Sequence, residues 1–452
     1  MGLLDPWFRL SKRTRNVVTT AGKLALTIAG FWLLLGHEVS TWNRDGRVSF
    51  APIDGEVTQV QLAGVSLPHL PSKAAVEALK PGEQGFAVEG DLLYIAADRD
   101  GSSAKVEGHS GVGRVRIGRA IADYVDNVDP GPFVAWSLVA TFVKLIGVVS
   151  SCYGWQLLLR GQGLRFPFWQ QGMTSFLIGR FIGTFMPSTI GLDGYTLYEA
   201  GRYSNEWHRA ITAKALEKFI GIAGLFTGLL LALPAGYVVL AGVAGPRAGL
   251  LTGLIGLLSL GITGTVVLGL VRPAWLRRSM TVFGTVVPGF ARRHVERFTD
   301  AVAAYEGNTG LLLGALLAKF VTHFTTAMVY FFTAKAIGVV DVDFLPVVFG
   351  SLIQILGTLF SPTIAGEGAR EALQALLLSH HLGGAAQAVL SAALGFMAAE
   401  AATLWGGAFW WSRRPGWRPS FVLVDGKQVD YTWIDDSDGG FDATRITPSA
   451  AP

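Results

Sequence analysis

The sequence contains a single cysteine, Cys152, among 452 residues, so no intrachain disulfide can staple the fold. Charge is scarce too. Asp, Glu, Lys and Arg make up 15% of the chain, against about 25% in ordinary soluble domains. No basic stretch carries the interleaved aromatics of a single-strand binder, so no nucleic-acid partner is expected. A phosphate-binding P-loop, a His-Glu-x-x-His zinc pair and a Gly-x-Ser-x-Gly elbow are all missing, which removes three common catalytic architectures. No cofactor is expected.

What the chain has instead is apolar length. Hydrophobic residues make up 50% of it, with apolar segments at 17–36, 133–159, 170–186, 209–233, 247–271, 309–337, 344–361 and 384–411. A run of roughly 20 such residues spans a hydrocarbon core. The 57 glycines suit closely packed and broken membrane helices. Lys12, Arg13 and Arg15 precede the first segment, and no small-residue cleavage site follows it, so an uncleaved anchor over 1–36 is expected. Residues 37–131 carry short alternating segments among Gly, Asp and Pro and read as a small β-rich domain. Residues 132–414 form the membrane domain. The polar tail, 415–452, carries a hairpin signal at Asp425-Gly426 and ends in a stretch expected to be disordered.

Basic residues set the orientation. The first cluster places the N-terminus in the cytoplasm of a bacterial inner-membrane protein, and 37–131 outside. Arg160 and Arg165, six arginines between 272 and 297, and Arg413 with Arg414 all belong to the cytoplasm. If every apolar segment crossed, these groups would conflict. The conflict vanishes if 170–206 and 344–381 are re-entrant hairpins, the first entered from the cytoplasm and the second from outside. A Pro/Gly break follows each first arm, at Pro187–Gly194 and Pro362–Gly368, and such backbone is tolerated at membrane depth where protein or a watery cavity shields it. 'PSTIGLDG' at 187 resembles 'PTIAGEG' at 362, an offset of 362 − 187 = 175. The segments around them read as inverted repeats, 133–233 and 309–411, a recurring transporter architecture. The fold class expected is therefore an all-α polytopic membrane protein with inverted repeats and two re-entrant hairpins, plus the outer β-rich domain.

Charges inside the apolar segments are the candidate site, because each costs roughly 2.5–3.5 kcal/mol at the bilayer centre unless it finds a partner or a cavity. Arg180, Lys218 and Arg370 would hold an anionic phosphate, Arg through its planar fork. Asp193, Glu217, Glu367 and Glu371 would position them. Lys214, Glu199 and Arg202 lie nearby in sequence, Lys319 and His323 share a helical face, and Glu400 falls in the last span. The competing reading is that these charges are ion pairs fastening the hairpins. Lys214 and Lys218 could also snorkel to the cytoplasmic surface. His380-His381 and Asp341-x-Asp343 are weak metal signals, since adjacent histidines point apart on a helix and such an Asp pair commonly caps one.

The motifs 'FMPSTIGLDGYTLYEAGR', 'ALEKFIGI' and 'SPTIAGEGAREALQALLL', in that order, resemble the membrane region of lysylphosphatidylglycerol synthases, a flippase-like family. The resemblance covers about 133–411, and Asp193, Glu217, Lys218, Arg370 and Glu371 fall on its motif positions. It implies movement of a polar lipid between leaflets. Three departures stand out. Tyr195, Thr196 and Leu197 occupy the place where the family usually has an arginine. Residues 37–131 form an unusually large insertion. The tail is too short for the aminoacyl-transferase domain, so lysyl transfer is not expected. The expected partner is a membrane lipid. The alternatives are an envelope-assembly subunit that recruits a protein partner through 37–131, and an enzyme acting on a lipid-linked donor.

Overall fold

The computed structural model describes residues 128–184, 190–272, 307–339, 342–359, 368–382, 384–413 and 417–429 without interruption, with shorter stretches between 21 and 121 and between 274 and 305. Both Pro/Gly breaks fall partly outside these residues, as do most of the segment 17–36, the arginine-rich loop and Asp341.

Helices dominate, as the apolar composition requires. Among the described residues, Pro130–Gly161, Trp207–Val271, Thr309–Ala336 and Ala385–Ser412 are each long and apolar enough to cross a membrane. The protein is a multi-pass membrane protein. Helix α1, Pro130–Gly161, opens with Pro at its first position and Asp129 accepting from the Gly131 amide at 3.0 Å. Its 32 residues reach about 48 Å, so its ends extend beyond a hydrocarbon core of about 30 Å. Next come α2 (Thr174–Thr184), α3 (Ile190–Ser204), α4 (Trp207–Ala244), α5 (Ala248–Val271) and α6 (Thr309–Ala336). Then follow α7 (Phe344–Leu359), α8 (Ala369–Leu378), α9 (Ala385–Ala401) and α10 (Trp405–Ser412).

Several boundaries differ from expectation. α3 begins at Ile190, not after Gly194, so Asp193 sits in its first turn. α4 continues past 233 through Pro234 to Ala244. Membrane helices tolerate an internal proline because neighbours re-satisfy the freed backbone groups. The last span is broken at Ala402–Leu404 into α9 and α10.

α1 and α6 run antiparallel and form the central seam. Small residues let them approach: Gly147 lies against Thr322 and Thr325, and Gly154 against Ala318. α2 packs on α3, with Gly183 against Gly191 at one end of the contact and Ser175 bonded to Glu199 farther along. α7 packs on α8 in the same way, Gly357 against Leu373 and Gly350 against Leu378. Two helical hairpins thus flank the α1–α6 seam.

Between residues 38 and 116 the described elements are one short helix, Lys73–Glu77, and short antiparallel strands, with Val48–Ile53, Glu56–Leu62 and Val65–Leu67 in one sheet and Gly85–Glu89, Leu92–Ala96 and Val106–Glu107 in another. At the other end, Leu423–Val424 and Lys427–Gln428 form the expected hairpin. Asp425 and Gly426 both have positive φ, 49° and 80°, the requirement of a type I′ turn. That hairpin adds to the strand Leu164–Arg165, which follows α1. Val422 is fully buried there, beside Trp417.

Candidate functional site

Charged side chains gather in the interior on either side of the seam. The first network centres on Glu217 of α4. Its carboxylate accepts from Lys214 at 2.6 Å and from Lys319 of α6 at 2.5 Å. Lys214 also donates to Thr196 of α3 at 2.9 Å, lies 3.8 Å from Asp193 and sits 3.8 Å over the Trp155 ring. Lys319 reaches Ser151 of α1 at 2.9 Å. Lys218 pairs with Asp193 nearer the surface. Lys214, Glu217 and Lys319 are all buried. Lys214 therefore does not snorkel, whereas the Lys218 side chain is half exposed. Gly224 makes this geometry possible: an added Cβ there would stand 2.8 Å from the α6 backbone at Lys319 and Phe320, so α4 can bring Glu217 to Lys319 only without a side chain.

The second network lies around α8 and α9. Gly368, at φ 79°, caps α8, and its amide donates to Glu371 at 2.7 Å. The other oxygen of Glu371 takes Arg370 Nε at 3.0 Å. The Arg370 guanidinium lies 4.2 Å over Phe396. Glu400 of α9 accepts from Thr184 of α2 at 2.5 Å, which ties the first hairpin to the last span. Lys144, buried in α1, donates to Thr326 of α6 at 3.0 Å and lies within electrostatic range of Arg180, Glu400 and Arg370.

The seven residues singled out in the sequence thus do not share one cluster. Asp193, Glu217 and Lys218 stand in the first network, Arg180, Arg370 and Glu371 in the second, and Glu367 lies outside the described residues. Three residues central to the geometry were missed. Lys214 and Lys319 were noticed but not placed in the site. Lys144 was not noticed at all, although it is the one charge within 133–159. The offset of 175 that aligns the two breaks also carries Lys144 onto Lys319 (144 + 175) and Ser151 onto Thr326 (151 + 175). The bonds Lys144–Thr326 and Lys319–Ser151 are each other's counterparts under that offset.

A third group fastens one end of the bundle. Arg413, beyond α10, donates to Glu199 and Thr174 at 2.6 Å and to Tyr195 at 3.2 Å, and stacks 3.9 Å from the Trp417 ring. It is therefore more than a topology signal. Beside it, Arg209 of α4 reaches both oxygens of Asp425 at 2.8 and 3.0 Å, and the Asp425 amide donates to the Gly163 carbonyl. That guanidinium holds the Asp425 carboxyl below its ordinary range. Among the described residues, no group of three or more His, Cys, Asp or Glu side chains could hold a metal ion.

The family model described as "Lysylphosphatidylglycerol synthase TM region" matches residues 117–406. Both networks and both hairpins fall inside that range. A search of curated proteins finds no match, and neither does a search of solved structures.

Proposed function

The chain belongs to the lysylphosphatidylglycerol synthase transmembrane-region family, and from that membership we propose that it is a lipid transporter, a flippase. It moves a polar lipid with an anionic, phosphate-containing headgroup between leaflets, through the charged interior beside the α1–α6 seam. The observation that carries this reading is the pair of buried charge networks, each built from a helical hairpin and the seam. Charge at that depth is expensive, and intramembrane ionisable groups commonly mark a substrate path.

The hairpins act as re-entrant elements. α8 has 10 residues and α3 has 15, about 15 and 22 Å, short of a hydrocarbon core of about 30 Å. The matched bonds Lys144–Thr326 and Lys319–Ser151 favour two inverted repeats that meet at the seam, with transport by rocking one against the other. The N-terminus and tail lie in the cytoplasm and residues 37–131 outside. No enzymatic step is invoked.

The test is reconstitution into phosphatidylcholine vesicles carrying a fluorescent anionic phospholipid, with leaflet exchange read by dithionite bleaching. Wild-type protein should bleach the inner-leaflet fraction, and Glu217→Gln or Arg370→Ala protein that remains folded should not. Equal exchange in protein-free vesicles would end this reading. The strand-rich segment between 38 and 116 favours a second reading, an envelope-assembly subunit that binds a protein partner outside. Deleting 37–131 would then abolish function and leave lipid exchange unchanged.

A further inference from the structure

Lys144 and Lys319 occupy equivalent places under the 175-residue offset, yet they are neutralised differently. Lys319 has the carboxylate of Glu217 at 2.5 Å and the Ser151 hydroxyl besides. Lys144 is equally buried, at 8% exposure against 7%. Its ammonium has three donors, and its hydrogen bond is to Thr326, whose own hydroxyl donates back to the Thr322 carbonyl at 2.7 Å. Among the described residues no carboxylate comes within ion-pair distance of Lys144.

Its surroundings deepen the imbalance. Arg180 of α2 lies close enough to act on Lys144 electrostatically, and its Nε is enclosed without a hydrogen-bond partner. Arg370 is also in range, but its Nε is committed to Glu371. The carboxylate shared by this group is Glu400, which takes the Thr184 hydroxyl. A buried cation costs several kcal/mol unless it is paired, and among the described residues neither Lys144 nor Arg180 has a carboxylate within ion-pair distance.

We propose that the Lys144–Arg180 pair, with Thr326 and Arg370 at its edge, is the binding site for the phosphate of the transported headgroup. The Glu217 network, whose lysines are already paired, is the frame that holds α4 and α6 together. This rests on the lipid-transport reading and deepens it, because the phosphate contact moves from the motif residues Asp193, Glu217 and Lys218 to Lys144 and Arg180. The phosphate supplies the missing negative charge, and the arginine presents a fork suited to it.

The experiment uses the full chain in mild detergent. Binding of inorganic phosphate and of a short-chain phosphatidic acid is measured by calorimetry, with short-chain phosphatidylcholine as the comparison. Lys144→Met and Arg180→Gln should each weaken phosphatidic acid binding about tenfold or more, the loss expected for a charge-assisted hydrogen bond. Lys218→Gln should change it little. A readout that a structural role would not give accompanies this. Without ligand, Lys144→Met should melt at a higher temperature than wild type, because it removes an uncompensated buried charge, and added phosphatidic acid should stabilise wild type but not the variant.

Binding of inorganic phosphate with the same sensitivity supports the site and shows that the phosphate group itself is recognised. If phosphate binds and phosphatidic acid does not, the site belongs to a soluble anion and the inference about a lipid headgroup fails. If folded Lys144→Met and Arg180→Gln bind like wild type while Lys218→Gln does not, the phosphate contact lies in the motif network: the inference is overturned and lipid transport stands. If wild type prefers phosphatidic acid no more than phosphatidylcholine, both fall.

Discussion

Lys319 of α6 donates at 2.5 Å to Glu217 of α4, a contact between residues 102 positions apart that closes the first charge network across two membrane helices. The same carboxylate takes Lys214 at 2.6 Å. One anion thus serves two buried cations, and Asp193 contributes at 3.8 Å from Lys214. Such an arrangement depends on every member. Replacing all of a buried ion group with apolar residues can be nearly neutral, but removing one partner leaves an unpaired charge in a low-dielectric interior.

Glu217→Gln should therefore destabilise the protein by about 3–5 kcal/mol, the usual cost of breaking a buried pair. Thermal unfolding in detergent would register it as a clear drop in midpoint. Adding Lys319→Met to the same chain should recover part of the loss, because one stranded charge is removed with its partner. An unchanged midpoint in the single variant would mean that the network does not hold α4 to α6.

How much of this was legible in the sequence follows from which signals are local. Span length and the apolar-to-polar shifts predicted the apolar helices α1, α2, α6 and α7, because burial in lipid reads directly from composition. The Asp425-Gly426 turn was equally local, since two positive φ values in a row need those residue types. The start of α3 was misplaced because Gly191 and Gly194 look like breakers. In the fold, Gly191 is helical, and an added Cβ would stand 2.5 Å from Gly183, so it serves close packing rather than a turn. The division of the charges into two networks was not legible. It depends on the α1–α6 seam, a tertiary contact that no local pattern encodes. Lys144 was the exception, since the repeat offset already placed it opposite Lys319.

Glycine positions along α4 offer a graded test of its contact with α6. At Gly224 a new Cβ would meet the α6 backbone at 2.8 Å, and at Gly221 it would meet nothing within 4 Å. Gly224→Ala should cost about 1–3 kcal/mol through overpacking. Gly221→Ala should be neutral or gain up to about 1 kcal/mol from helix propensity. Comparing the two unfolding midpoints separates packing from propensity within one helix. Equal midpoints would contradict the close approach of α4 and α6.

The docking of the tail hairpin should loosen in acid. Arg209 donates to both oxygens of Asp425, and its charge holds that carboxyl below the ordinary range. A carboxyl with a lowered folded-state pKa contributes its stabilisation above the unfolded value and loses it as pH falls through the folded one. Docking of the 423–428 hairpin should therefore be pH-independent near neutrality and weaken below the normal carboxylate range. The contribution is modest, because Asp425 is largely solvent-exposed and the pair is screened. Amide hydrogen exchange at Asp425, whose N–H is bonded to the Gly163 carbonyl at 3.0 Å, reports it directly. Its protection should fall at acid pH in wild type. In Asp425→Asn it should already be reduced at neutral pH and show no further acid step once intrinsic exchange rates are corrected. An acid step that survives in Asp425→Asn would assign the titration to another group and leave the ion pair without a role in holding the tail.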